Sequence, residues 1–160
     1  LSSIHEEENM LDGLVEYGYV GLFIAAFLAA TILPIGSEIV FVTLIAMGLE
    51  PYTCLIVASI GNWLGGMTNY YLGKLGKIRW IEKYLKVPRS KIEKMHNWLK
   101  GKGAAMAFFS FVPVIGDVIC LALGFMRANV LIVNVTMFAG KFLRYALLMY
   151  GTMYGIKWLV

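Results

Sequence analysis

Charge is scarce in this chain and unevenly placed. Only 15% of its 160 residues are charged, against 59% apolar. A soluble domain carries nearer a quarter charged residues, so there is too little polar surface here to cover a water-exposed globule. Between Tyr17 and Gly73 there is no Lys or Arg, and the only acids are Glu38 and Glu50. Runs of about 18 or more apolar residues read as membrane spans. Cysteine is nearly absent: Cys54 and Cys120 both sit in apolar stretches, which predicts free buried thiols. With two histidines in separate polar segments, no metal spacing arises, and no metal or cofactor is expected. There is no Ser–His–Asp or Cys–His set and no phosphate-binding glycine loop, so the sequence predicts no enzyme. The acidic N-terminus predicts no cleavable signal.

The charge that is present is segregated. Ten of the fourteen Lys and Arg fall between Lys74 and Lys102, with only Glu82 and Glu93 opposing them. The first sixteen residues hold Glu6, Glu7, Glu8, Asp12 and Glu16 and no base. Beside apolar spans this asymmetry places residues 74–102 in the cytoplasm and the N-terminus opposite, in a multi-pass cell-membrane protein. A nucleic-acid partner is not expected from such a distribution.

A shift of 79 residues superposes the chain on itself. Pro34 falls on Pro113, Glu38 on Asp117, Met47 on Met126, Gly61 on Gly140 and Tyr71 on Tyr150. The length suits one membrane domain, residues 1–160: repeat one 17–76, an amphipathic linker 77–102 and repeat two 103–155. Each repeat opens with an apolar stretch broken by proline and glycine, at Pro34 and Gly36 and again at Pro113 and Gly116. In repeat two the halves, Ala104–Val112 and Val118–Met126, are too short to cross alone, since a spanning helix needs about 20 residues. Two shapes remain: a kinked helix that crosses, or a re-entrant hairpin. A turn follows ("LEPYT", "RANV"), then a full-length span at Tyr52–Leu72 and Leu131–Gly151. With hairpins, each repeat crosses once and the repeats are inverted, leaving the basic linker opposite both termini. The acidic N-terminus favours that arrangement, a recurrent transporter plan. The expected fold is therefore all-α and integral to the membrane.

In the linker, Trp80, Ile81, Tyr84 and Leu85 form one stripe, and Ile92, Met95 and Leu99 another with Trp98 beside it. Ser90 and Glu93 have the spacing of a capping box for the second helix. Two amphipathic helices on the cytoplasmic surface are expected, with His96 solvated and basic residues toward anionic headgroups.

Glu38 and Asp117 follow the prolines by four residues, at equivalent repeat positions. A carboxylate at membrane depth costs about 2.5–3.5 kcal/mol on the lenient insertion scale, so it needs compensation. Free N–H groups at the break would supply it, as would a proton or cation site. Lys141 and Arg144 share a face of the last apolar segment. Lys141 lies ten residues into it, about 15 Å and thus close to the midplane. They could neutralise the two acids or hold a phosphate, for which Arg offers bidentate contacts. Asn62, the repeat partner of Lys141, lies seven residues from Asn69 on one helix face. Gly61 and Gly65 form a G-x-x-x-G pair suited to close helix packing. Arg127 is expected at the interface.

The segments "LPIGSE", "GNWLGGMTNYYLGKLG", "WLKGKGAAMAFFSFVPVIGD" and "GKFLRY" resemble the DedA superfamily, also called SNARE-associated or VTT-domain proteins, and most closely its short YqaA-like bacterial branch. The resemblance covers about Phe27 to Tyr150. It implies two opposed re-entrant hairpins plus transmembrane helices. It also implies transport of phospholipids or a polyprenyl phosphate such as undecaprenyl phosphate, with protons as coupling ion. Glu38 matches the functional acid of the family's first hairpin. The arginines that flank the second-hairpin proline in many members read Ser110 and Gly116 here, with Asp117 next. Lys141 and Arg144 are then the candidates to replace them from the neighbouring helix. The resulting expectation is a flippase or scramblase for a phosphate-headgroup lipid, with a second copy of the chain as a candidate partner in a homo-oligomer and with Glu38, Asp117, Lys141, Arg144, Asn62 and Asn69 at its site. A small-solute or ion transporter of the same build, or a non-transporting membrane-organising subunit, stands as the alternative.

Overall fold

The computed structural model describes residues 2–31, 36–76, 79, 82–83, 86–100, 102–112 and 115–159. The break prolines Pro34 and Pro113, and the stripe Trp80, Ile81, Tyr84 and Leu85, lie outside the described residues. The fold is all-helical among the described residues: α1 (Ser2–Thr31), α2 (Ser37–Ala46), α3 (Pro51–Lys74), α4 (Arg89–Leu99), a 3₁₀ helix (Ala104–Phe111), α5 (Ile115–Phe125) and α6 (Val130–Leu159). Asp12–Thr31 within α1 and Val130–Trp158 within α6 are long and apolar enough to cross a bilayer. The span expected at Tyr52–Leu72 forms as one uninterrupted helix. At 24 residues, or about 36 Å, α3 has the length to cross. It falls short of α1 and α6 in apolarity because it turns Asn62, Asn69 and several glycines into the interior.

The turn that ends α2 recurs 79 residues later at the end of α5. After α2, Met47, Gly48 and Leu49 donate to the carbonyls of Thr43, Ile45 and Leu44 at 2.9, 3.0 and 3.1 Å. After α5, Met126, Arg127 and Ala128 donate to Ala122, Gly124 and Leu123 at 2.9, 2.9 and 3.0 Å, the same bonds one repeat later. Gly48 and Arg127 both take positive φ, 101° and 54°. Such a residue closes a helix C-terminus by letting the next amides turn back on the last carbonyls. The following helix starts alike in both repeats. The Glu50 carboxylate accepts from the amides of Tyr52 and Thr53, at 3.0 and 2.6 Å, and the Asn129 Oδ1 accepts from those of Leu131 and Ile132. A side-chain oxygen at this position satisfies amides that the first helical turn leaves without partners.

Three packings set the frame. First, α1 runs parallel to α3: Gly61 lies against the Phe23 carbonyl and Gly65 against that of Phe27. A β-carbon at either glycine would come within 2.6 Å of the carbonyl oxygen, so the G-x-x-x-G pair is what permits this approach. Second, the 3₁₀ helix runs parallel to α6, with Ala104 at the level of Thr136 and Phe108 at that of Gly140. Third, α3 and α6 are antiparallel. Tyr52 sits beside Tyr150, Asn62 beside Lys141, and Gly66 beside Met137. Trp63 fixes this pair by donating to Asn134 Oδ1 at 2.7 Å. Where α3 crosses α5, Gly73 meets the Leu121 carbonyl and Gly124 that of Tyr70, so backbone touches backbone.

Several local expectations need correction. The first half of repeat two is a 3₁₀ helix, Ala104–Phe111, and α5 begins at Ile115 rather than Val118. The tighter turn brings the Ser110 carbonyl onto Gly116, where a side chain could not fit. The Ser90–Glu93 capping box does not form. Pro88 is the N-cap of α4, and Glu93 pairs with Arg89 Nε at 2.9 Å instead. Proline pre-sets φ for a helix start, so α4 begins two residues earlier than a Ser90 cap allows. The Ile92, Met95 and Leu99 face packs chiefly onto the protein: Ile92 meets Leu121, and Leu99 joins the core with Ile119 and Ala122. His96 is half-buried rather than solvated, its ring edge-on to Phe125 with centroids 5.8 Å apart.

Candidate functional site

The polar centre lies where the broken elements meet the antiparallel pair. Gly36, just before α2, takes φ 132°, a conformation open to glycine but strained for other residues. Its carbonyl accepts the Val40 amide at 3.0 Å and starts α2. Ser37 and Glu38 thus occupy the first turn of α2, and Asp117 the first turn of α5. Acids there face the positive end of a helix.

Arg144 forms an ion pair with Glu38. The two side chains keep 20% and 29% of their exposure, so this pair is partly open. One residue on, the Tyr145 hydroxyl donates to Ser37 Oγ at 3.0 Å, and its ring packs on Phe41 at 5.3 Å between centroids. These contacts fasten α2 to α6.

Lys141 is 1% exposed. Its ammonium donates to Asn62 Oδ1 at 2.6 Å, and Asn62 Nδ2 donates onward to the Ala26 carbonyl at 2.9 Å. One repeat separates Lys141 from Asn62, so the two equivalent positions face each other at the crossing of α3 and α6. Gly66 makes room for the lysine stem: a β-carbon there would lie 2.9 Å from Lys141 Cε. Helix α3 therefore supplies both the acceptor and the groove along which Lys141 reaches it.

These groups enclose a cavity of about 10 Å³, enough for one water-sized occupant. Ala29, Ala30, Ser37 and Glu38 line it from the first break, Ser110, Val112 and Asp117 from the second, and Asn62, Lys141 and Arg144 from the long helices. Among the described residues no ion pair joins Asp117, which shares this wall with Lys141. Two bases and two acids thus surround one small space, and the net charge of the cluster is zero when all four are ionised.

Five of the six residues singled out from the sequence meet here: Glu38, Asp117, Lys141, Arg144 and Asn62. Asn69 does not. Its amide donates to the Ala30 carbonyl at 2.5 Å, seven residues further along α3, and it ties α1 to α3. Ser37 and Tyr145 carry no charge, and in the sequence only adjacency to Glu38 and Arg144 marks them; Ser110, at a position beside the second break already singled out, also lines the cavity. Both cysteines are free and buried. Among the described residues no cluster of three or more His, Cys, Asp or Glu could hold a metal. Arg127 is exposed at the turn after α5.

Residues 33–153 match the VTT domain. The chain is 37% identical over 138 residues to the inner membrane protein YqaA of Escherichia coli, covering 86% of this chain and 92% of that one. A Haemophilus influenzae protein is 32% identical over 137 residues, covering 81% of this chain and 83% of its own. No solved structure matches.

Proposed function

Because the chain belongs to the VTT-domain (DedA) superfamily of membrane proteins, in its YqaA-like branch, we propose that it moves a lipid with a phosphate headgroup across the membrane, as a flippase or scramblase. The observation that carries this reading is the neutral four-charge cluster around one small cavity, formed where the two chain breaks meet. In this reading the repeats are inverted and their broken elements re-enter from opposite faces. The antiparallel run of α3 and α6, with Asn62 opposite its own repeat partner, supports an axis in the membrane plane. So does the parallel run of α1 with α3, which leaves α2, about 15 Å long, to return toward the side it came from. YqaA's inner-membrane location extends to this chain, with the basic linker in the cytoplasm.

The roles divide by exposure. Arg144 is the accessible base, so a phosphate would displace Glu38 from it. Glu38, freed of its partner in a poorly hydrated site, would then take a proton, coupling headgroup entry to proton uptake. Lys141 is held by Asn62 and offsets Asp117. The chain is read as a transporter and not an enzyme, without a cofactor.

The test is reconstitution into liposomes with a labelled phosphate-headgroup lipid. Arg144→Ala and Glu38→Gln are each expected to cut translocation at least tenfold, and Lys141→Ala to abolish it. Wild-type vesicles without translocation, or Arg144→Ala at the wild-type rate, would end the reading. The small size of the cavity favours one alternative, an ion pathway of the same build. Ion flux that persists in vesicles whose lipids do not move would establish it.

A further inference from the structure

Outside the central site, a groove of about 420 Å³ runs between α4 and the first turn of α5. That volume falls within the range of ligand pockets. Met95, Trp98, Ile115 and Val118 make its walls, and Lys91 and Lys94 stand on its rim. Trp98 and Ile115 stay 48% and 51% exposed. The Lys102 ammonium sits 3.8 Å over the Trp98 ring and holds that wall in place. The groove is a consequence of how α4 is seated. Ile92 and Leu99 anchor α4 on one edge of its apolar face and Met95 packs partly against the same core, which leaves Trp98 exposed on the other edge.

The rim is as informative as the walls. Arg89 is neutralised by Glu93, but among the described residues neither Lys91 nor Lys94 has an ion-pair partner. Two unpaired cations over a hydrocarbon-lined slot match an amphiphile with an anionic head and an apolar chain. A peptide helix would bring backbone ends and polar faces for which this slot offers no partners. We propose that the groove is a docking site for one anionic glycerophospholipid, with an acyl chain against Met95, Trp98 and Ile115 and its phosphate on Lys91 and Lys94.

The placement gives the site a purpose. Ile115 and Val118 face the groove, while Asp117 between them lines the central cavity. Only the width of α5 therefore separates a lipid in the groove from the charged centre. It waits beside the site from the membrane's cytoplasmic leaflet, and this purpose rests on the transport reading, whereas the docking itself does not.

The full chain in detergent, titrated with phosphatidylglycerol or phosphatidylcholine and followed by native mass spectrometry, tests the docking. One phosphatidylglycerol is expected to bind at least tenfold more tightly than phosphatidylcholine. Lys91→Gln with Lys94→Gln should erase that preference, and Ile115→Trp, at a half-exposed position, should fill the slot and weaken binding of both lipids. Equal affinity for the two lipids, or a preference that survives loss of both lysines, overturns the proposal. If inorganic phosphate alone displaces the lipid, the apolar slot is not what holds it and the proposal fails. If Arg144→Ala removes the tight lipid, the lipid sits in the central site, which sinks the groove and spares the transport reading. Failed translocation with intact docking does the reverse.

Discussion

Lys141 donates a 2.6 Å hydrogen bond to Asn62, the residue that occupies its own position in the other repeat. Two equivalent positions meet, and the sequence has made them chemically complementary instead of alike. Two lysines there would repel, and two asparagines would leave Glu38 and Asp117 facing Arg144 alone.

Removing the acceptor should therefore strand a buried charge. Asn62→Leu is expected to destabilise the protein by about 1.5–3 kcal/mol, the usual worth of a hydrogen bond to a charged group. Thermal unfolding in detergent measures it. The double variant with Lys141→Met should recover part of the loss, giving a clear coupling energy in a double-mutant cycle. Simple additivity would mean that the two side chains do not depend on each other.

Glycine at position 65 is required by contact. Gly65→Val places carbon against the Phe27 carbonyl and the Ala30 methyl and should cost about 1–3 kcal/mol, the range for overpacking. Gly21→Ala is the control, because nothing lies within 4 Å of a β-carbon there. Equal midpoints for the two variants would show that α1 and α3 are not held at this distance.

Arg127 adopts the left-handed backbone that its repeat partner Gly48 reaches without strain. Arg127→Gly is expected to stabilise the protein by up to about 1 kcal/mol, since a side chain in that conformation costs roughly 1–2 kcal/mol and glycine gives back some of that through chain entropy. A lowered melting temperature would contradict it.

The cap on α3 should depend on pH. The Thr53 hydroxyl, with the Thr53 and Tyr52 amides, holds the Glu50 carboxyl below its ordinary value of 4.5. A depressed carboxyl stabilises the folded state above its unfolded value, and that contribution disappears as pH falls through the folded one. Hydrogen exchange at Tyr52 and Thr53, corrected for intrinsic rates, should therefore lose protection below about pH 4.5 in the wild type. In Glu50→Ala the loss should be present at every pH. Unchanged protection in that variant would remove Glu50 from the cap.

Topology can be read with cysteines. Cys54 and Cys120 are fully buried, so they give little background. A cysteine placed at Ser3 should react with an impermeant reagent from outside intact cells, and one at Ser90 should not. Reaction at both sites, or at neither, would contradict inverted repeats.

Much of the centre was legible before folding. Acids four residues past a proline, in an apolar background, are costly enough to stand out, and so are Lys141 and Arg144 in the last span. The repeat was legible because proline, glycine and the acid are irreplaceable at a break, whereas apolar residues substitute freely. What sequence spacing could not reach was pairing. Arg144 takes Glu38, while Lys141 takes the neutral Asn62 and only shares a wall with Asp117. Helical periodicity places a side chain on a face of its own helix and is silent on which helix lies opposite. Asn69 shows the same limit: it shares a face of α3 with Asn62, yet the offset along α1 gives it a backbone carbonyl instead of the cavity. The capping box and the solvated His96 failed for a related reason, because Pro88 set the start of α4 and Phe125 came from a distant element to cover the ring. The sequence by itself determined the membrane class and the charged residues, because burying charge in hydrocarbon leaves few permitted patterns. The tertiary structure decided who neutralises whom and where α4 stands clear of α5, because both depend on how helices distant in the chain are set against one another.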